Sequence, residues 1–257
     1  MKAALSLFLS AVIGLVSAFA GEGSVAVYIV DESPEHAGMG GQCTLFASTI
    51  KPGENKHLLA IGKGDPGTTA LLVAYDRESD LLFDNIAPVL SNQTKDSPPL
   101  KFPAPDSGKK FAYNGKGAPV DLYFVIFDEG DPQLEKFTEY MGWMNDSFAE
   151  GDSESANLHG LVMKKRISKM LRTRISTEYI ASFGGDESQK APTSKAAVTR
   201  GGPLKVTGSN KAPAATAGVK RGLKTLDKEW SEDARKISGS PGDPGILLFP
   251  INQKKED

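Results

Sequence analysis

The residues best equipped for chemistry in this chain are a lone cysteine and a run of bases. Cys43 closes the stretch Gly38-Met39-Gly40-Gly41-Gln42-Cys43. As a nucleophile it would need a histidine to take its proton, drawn from His57 or His159, and a carboxylate or amide to orient that histidine. A hydrolase or transferase acting through Cys43 is one functional expectation, and a packed small apolar side chain is the plainer reading of the same residue. The bases are Lys164, Lys165, Arg166, Lys169, Arg172 and Arg174, which follow one another with no acid among them. Facing outward, such a cluster would attract phosphate, a polyanion or an anionic envelope surface through long-range electrostatics. Just upstream the sign inverts: Asp128, Glu129, Asp131, Glu135, Glu139, Asp146, Glu150, Asp152 and Glu154 surround Lys136 as the sole base. If the two segments are antiparallel helices they partly neutralise one another, each surface pair contributing about 0 to 1 kcal/mol.

Other chemistry is poorly supported. Gly41-Gln42-Cys43 is similar to the triplet around the nucleophile of transglutaminase-like enzymes, which continue with an aromatic residue into a helix. Here Thr44-Leu45-Phe46-Ala47-Ser48 alternates as a strand. His36, His57 and His159 are far apart and no pair has zinc-site spacing, so no metal and no cofactor is expected. The corner Asp128-Glu129-Gly130-Asp131 could attract calcium, but it lacks the further ligands of an EF-hand and reads better as a helix-capping turn. Gly62 to Gly67 fails the phosphate-loop order, and no G-x-S-x-G is present. Asn92-Gln93-Thr94 and Asn145-Asp146-Ser147 fit the glycosylation pattern, which matters only on a eukaryotic secretory route. A net charge of −2 gives no bulk basicity and no specific nucleic-acid signal.

The elements that must position these residues follow from hydrophobic spacing. From Ser24 to Asp128 short apolar runs alternate with turn signals, as in a sheet of about six strands. Val25 to Val30 and Val120 to Phe127 are apolar on both faces and read as central strands. His57 to Ile61 and Thr69 to Tyr75 flank a Gly- and Pro-containing stretch and read as a hairpin. Ser91 to Lys110, with Pro98, Pro99, Pro103 and Pro105, reads as a long surface loop. Asp131-Pro132 starts a helix, Asp as N-cap and Pro at the first position, with Leu134, Phe137, Tyr140, Met141, Met144 and Phe148 forming its apolar stripe. A second helix is predicted from about Ser155 to Leu171, burying Leu158, Leu161, Val162, Ile167, Met170 and Leu171. Thr173 to Phe183 alternates as a strand.

The ends of the chain set its destination. Lys2, an apolar run from Ala3 to Val16 and the small-residue ending Ala18-Phe19-Ala20 form the three regions of a cleavable export leader, placing the mature start at Gly21. The apolar run is shorter than the roughly 20 residues a membrane span needs, and no later stretch approaches that length, so a soluble periplasmic or secreted product is expected. With one cysteine, no intrachain disulfide can support the fold. From Asp186 to about Gly222, Lys, Pro, Ala and Thr dominate, too little apolar surface to offset ordering entropy, and a disordered basic linker is predicted. Leu223 to Ile237 recovers a weak helical pattern, and Gly245 to Ile251 reads as a strand returning to the core, with Pro250 suited to an edge. The resulting expectation is an α+β, strand-rich domain over residues 21–185 with two packed helices, a linker over 186–222 and a C-terminal helix and strand over 223–257. The leading function is a non-catalytic exported binding or envelope-associated interaction protein. Its unknown partner would be an extracytoplasmic protein or an anionic envelope component.

Overall fold

A computed structural model describes residues 21–47, 50–79, 81–82, 89–117, 119–128, 130–150, 154–172, 219–239 and 244–251. Strands apolar on both faces need cover on both sides, and the architecture supplies it. The fold is α+β and strand-rich, built from two antiparallel sheets. In the first, β1 (Glu22–Asp31) lies at the centre, with β3 (Lys56–Gly64) along one side. Its other side is shared by β2 (Gln42–Leu45) and β11 (Arg235–Ser238), each covering half its length. β10 (Lys220–Gly222) extends the sheet beyond β2, while β7 (Leu100–Phe102) and β8 (Phe111–Ala112) share the outer side of β3. In the second sheet β9 (Val120–Phe127) is flanked by β12 (Gly245–Ile251) and β4 (Thr69–Asp76), and β5 (Leu81–Leu82) and β6 (Val89–Asn92) pair with β4.

Three separate cores identify four layers. Val25, Val27 and Ile29 of β1 meet Leu72, Leu122 and Phe124 of the other sheet in the central core. The outer face of the second sheet, with Leu71, Val73 and Tyr123, packs on Phe137 and Met141 of α1 (Pro132–Ala149) and Met163 and Ile167 of α2 (Glu154–Arg172). The outer face of the first, with Ala26, Tyr28, Val30 and Cys43, packs on Leu226 and Trp230 of α3 (Leu223–Asp233). Each strand of the central pair thus feeds two cores, which is why alternation is absent from β1 and β9. The two helices on the second sheet run antiparallel: Ser147 meets His159, and Arg166 stacks over Tyr140, so later residues of one helix meet earlier residues of the other.

Five expectations are corrected, the first being the helix over Leu223 to Ile237, which ends at Asp233 and gives way to strand β11. β3 and β4 do not form a hairpin: the chain crosses from one sheet to the other at Asp65–Thr68, and only a few backbone bonds, such as Asp65 N–H to Glu22 O, tie the crossing down. A short Gly-Pro loop serves a crossing as well as a hairpin, and loop composition cannot separate the two. The proline-rich stretch is not all loop, because β6 ends in it and β7 pairs with β3 as an outer strand where Pro98, Pro99 and Pro103 fall outside the ladder. The last three residues of the expected linker are strand β10. The buried side of α2 is also different in part: Ile167 is buried as expected, but Leu158, Leu161 and Val162 are exposed and Met163 and Lys164 are buried instead, while the side chains of Met170 and Leu171 lie outside the described residues. The expected strand over 173–183 and linker over 186–218 lie outside the described residues.

Candidate functional site

Cys43 is fully buried beneath α3, and burial pushes its thiol up to about 12. A thiol in that state supplies almost no thiolate near neutrality. Its expected bases are not within reach. In the ladder Cys43 faces Val30, and Val30 faces His57 on the far side, so two strand spacings of roughly 4.8 Å separate the thiol row from the imidazole. Val30, itself fully buried, fills the space between. Burial also lowers the His57 pKa, with Glu32 opposing and Lys110 reinforcing that shift. His159 belongs to the helical layer behind the other sheet, where its Nδ1 lies 3.1 Å from Ser147 Oγ. Cysteine, base and orienting group are therefore not assembled.

The basic cluster is divided by the helix that carries it. Lys164 turns inward, is only 3% exposed and is not a free cation. Lys165, Arg166 and Lys169 are exposed. The side chain of Arg172 and the whole of Arg174 lie outside the described residues. At 3.6 residues per turn, Leu158, Leu161, Val162, Lys165, Arg166 and Lys169 share one side of α2, opposite Met163, Lys164 and Ile167. The outward stripe thus starts apolar, with Leu158 62%, Leu161 40% and Val162 42% exposed, and ends cationic. Trp143 of α1, 40% exposed, stands on the neighbouring helix. Exposed Glu135, Glu139 and Asp146 give α1 the opposite sign.

Two further clusters stand out, one that escaped the sequence reading and one that it noted. Arg221 of β10 bonds Asp233 through Nε at 2.6 Å, Glu229 at 3.0 Å and Glu232 at 2.9 Å, and Tyr28 donates its hydroxyl to Asp233 at 2.9 Å. This network fastens α3 to the sheet. Arg221 and its three acids lie close in sequence, but they meet only because α3 folds back over β10, and Tyr28 comes from the far end of the chain, so no spacing rule announces the network. The other is the acidic corner. Asp131 does cap α1, accepting the Gln133 N–H at 2.8 Å, but Asp128 and Asp131 are 7% and 4% exposed, and each keeps one carboxylate oxygen without a partner. Two carboxylates fall short of the six to eight oxygens calcium takes, and no group of three or more metal-ligating side chains occurs among the described residues. An open groove of about 690 Å³ runs beside Leu90, Pro98, Pro99 and Pro105; of the two charged residues that line it, Lys101 is paired with Asp227 at 2.7 Å and Asp106 is exposed.

No helix among the described residues is long and apolar enough to cross a membrane. Comparison with known proteins gives no match: no family model, no curated protein and no solved structure matches the chain.

Proposed function

We propose that the protein is an exported, non-catalytic binding protein that docks on an anionic envelope surface through the outward side of α2. One observation carries this reading: Leu158, Leu161 and Val162 continue along the same side of the helix into Lys165, Arg166 and Lys169, all exposed. A helix side that is apolar at one end and cationic at the other suits the boundary of a membrane, where apolar side chains enter below the headgroups and bases meet their phosphates. Each base near such a surface contributes about 1 kcal/mol. Three bases and three aliphatic side chains therefore give weak, reversible, salt-sensitive attachment rather than permanent anchoring. The acids of α1 orient the docking, since they favour turning that helix away from a negative surface.

The test is co-sedimentation with vesicles of phosphatidylcholine alone or mixed with phosphatidylglycerol. Partition into the mixed vesicles should fall as salt rises, and it should drop at least tenfold in the double variant Lys165→Glu, Lys169→Glu. Equal partition of parent and variant, or none for either, removes the reading.

A further inference from the structure

We propose that Asp128 and Asp131 form a built site for the chain's own α-ammonium group, created when the Ala20–Gly21 bond is hydrolysed, so that leader removal completes the fold. The inference rests on reading residues 1–20 as a removable leader. Its structural basis lies wholly in described residues.

Gly21 is buried at the head of β1, and its nitrogen donates to Asp128 Oδ1 at 2.6 Å. Its position is fixed from both sides: Gly239 N–H donates to Gly21 O at 2.8 Å and Asp65 N–H donates to Glu22 O at 2.8 Å. A side chain at residue 21 is sterically barred, because a Cβ would stand 2.1 Å from Asp128 Oδ1 and 2.8 Å from Thr68 Cγ2. The turn that follows β9 is equally fixed, with Asp131 N–H donating to Asp128 O at 3.1 Å and Asp131 holding the helix cap. The chain thus brings the Gly21 backbone nitrogen against the buried Asp128 carboxylate, on which the negative charge of the neighbouring buried Asp131 also acts.

As an amide, that nitrogen offers one hydrogen and no charge. Asp128 Oδ2 and Asp131 Oδ2 then remain buried and unpartnered, a costly arrangement for ionised groups. Burial raises the Asp128 pKa, the Gly21 N–H opposes this, and the charge of Asp131 raises it further. Hydrolysis by a leader-cleaving protease changes the account. Water adds hydroxyl to the Ala20 carbonyl carbon and hydrogen to Gly21 nitrogen as the amide bond breaks. The Ala20 acid loses a proton and the Gly21 amine gains one, so the leader departs as a carboxylate and Gly21 becomes –NH3+. The new group carries three donors and one positive charge beside Asp128, whose Oδ2 had no partner and whose charge was joined by that of Asp131. Among the described residues, Glu22 and Asp65, the acids next to this nitrogen along the chain and its hydrogen-bonded neighbour, are exposed and add only screened charge. A start displaced by one residue in either direction would remove the ammonium from the site.

The experiment compares the chain 21–257 released from a fusion with Gly21 first, the same chain preceded by Ala20, and both again with Asp128→Asn. The native protein is first sequenced from its N-terminus. We expect a native start at Gly21 and a thermal midpoint about 5–10 °C higher for the Gly21 chain than for the extended one. That gap should close in the Asp128→Asn pair. The α-amine of the Gly21 chain, followed by ¹⁵N NMR, should titrate above the ordinary value of about 8. Equal midpoints with an ordinary amine titration, or a gap that survives Asp128→Asn, overturn the proposal, as does a native start elsewhere. Vesicle binding is read separately, so the docking reading and this one can fail independently.

Discussion

At Asp233 two opposing effects meet. Burial alone would raise its pKa, but hydrogen bonds from Arg221 and Tyr28, with the Arg221 charge, hold the carboxyl below its ordinary range. A carboxyl lowered in this way contributes stability that is present above its unfolded pKa of about 3.9 and is lost as pH falls through the lower folded value. Arg221→Ala leaves Asp233, with its side chain 6% exposed, as a buried uncompensated charge. The expected cost is about 3 kcal/mol by urea unfolding at pH 7, and the gap between parent and variant should narrow below about pH 4 as Asp233 protonates. Loss of Glu229 or Glu232 should matter far less, since both are more exposed and gain little from an ion pair. Tyr28→Phe removes one hydrogen bond from the same carboxylate and should cost about 1 kcal/mol. A variant gap that stays constant from pH 7 to pH 3 would show that Asp233 is not the group responsible.

Among the elements, those whose identity depends on local pattern were legible and those whose partner is distant were not. β1, β9 and α1 follow from apolar runs, β-formers and an Asp-Pro cap, each of which acts within a few residues. Whether β3 turns back on β4 or crosses to the other sheet depends on which face each strand buries, and both are apolar enough for either. α2 misled for a related reason: it carries apolar residues on two opposite sides, and only the presence of the second sheet selects Met163 and Ile167. Lys164 can lie on that buried side because its long aliphatic stem packs like an apolar residue, so a run of bases in sequence does not make one surface. Cys43 offers a probe of such element-level docking, because α3 covers it. Leu226→Ala removes a fully packed side chain from that contact, a change of about 2–4 kcal/mol. If α3 lifts as a unit, alkylation of Cys43 at pH 8 in the absence of denaturant should accelerate about 30-fold or more. An unchanged rate would mean that Cys43 becomes reachable by a route that does not involve α3.

For the molecule as a whole, the described C-terminal residues decide whether there is one folding unit or two. β10 and β11 belong to the first sheet, α3 covers that sheet, and β12 closes the second. Neither sheet is complete without the chain end, so an autonomous C-terminal domain has no core of its own. The strength of this closure can be gauged from β12, whose Ile246, Leu247, Leu248, Phe249 and Ile251 are all buried. At about 1.5–3 kcal/mol per side chain, these five bury enough apolar surface for roughly 10 kcal/mol. Breaking the backbone between the sheets' two contributors removes a tether whose effective concentration is of millimolar order, about 4 kcal/mol. The burial term exceeds the tether term before α3 and its ion-pair network are added. A specific protease site inserted between Gly201 and Gly202 therefore tests the architecture directly. After complete cleavage, the two fragments should elute together as one species at micromolar concentration under native conditions and separate only in denaturant. If they part without denaturant, the contacts of β12 and α3 are weaker than their burial implies, and the residues before and after the cut fold as separate units.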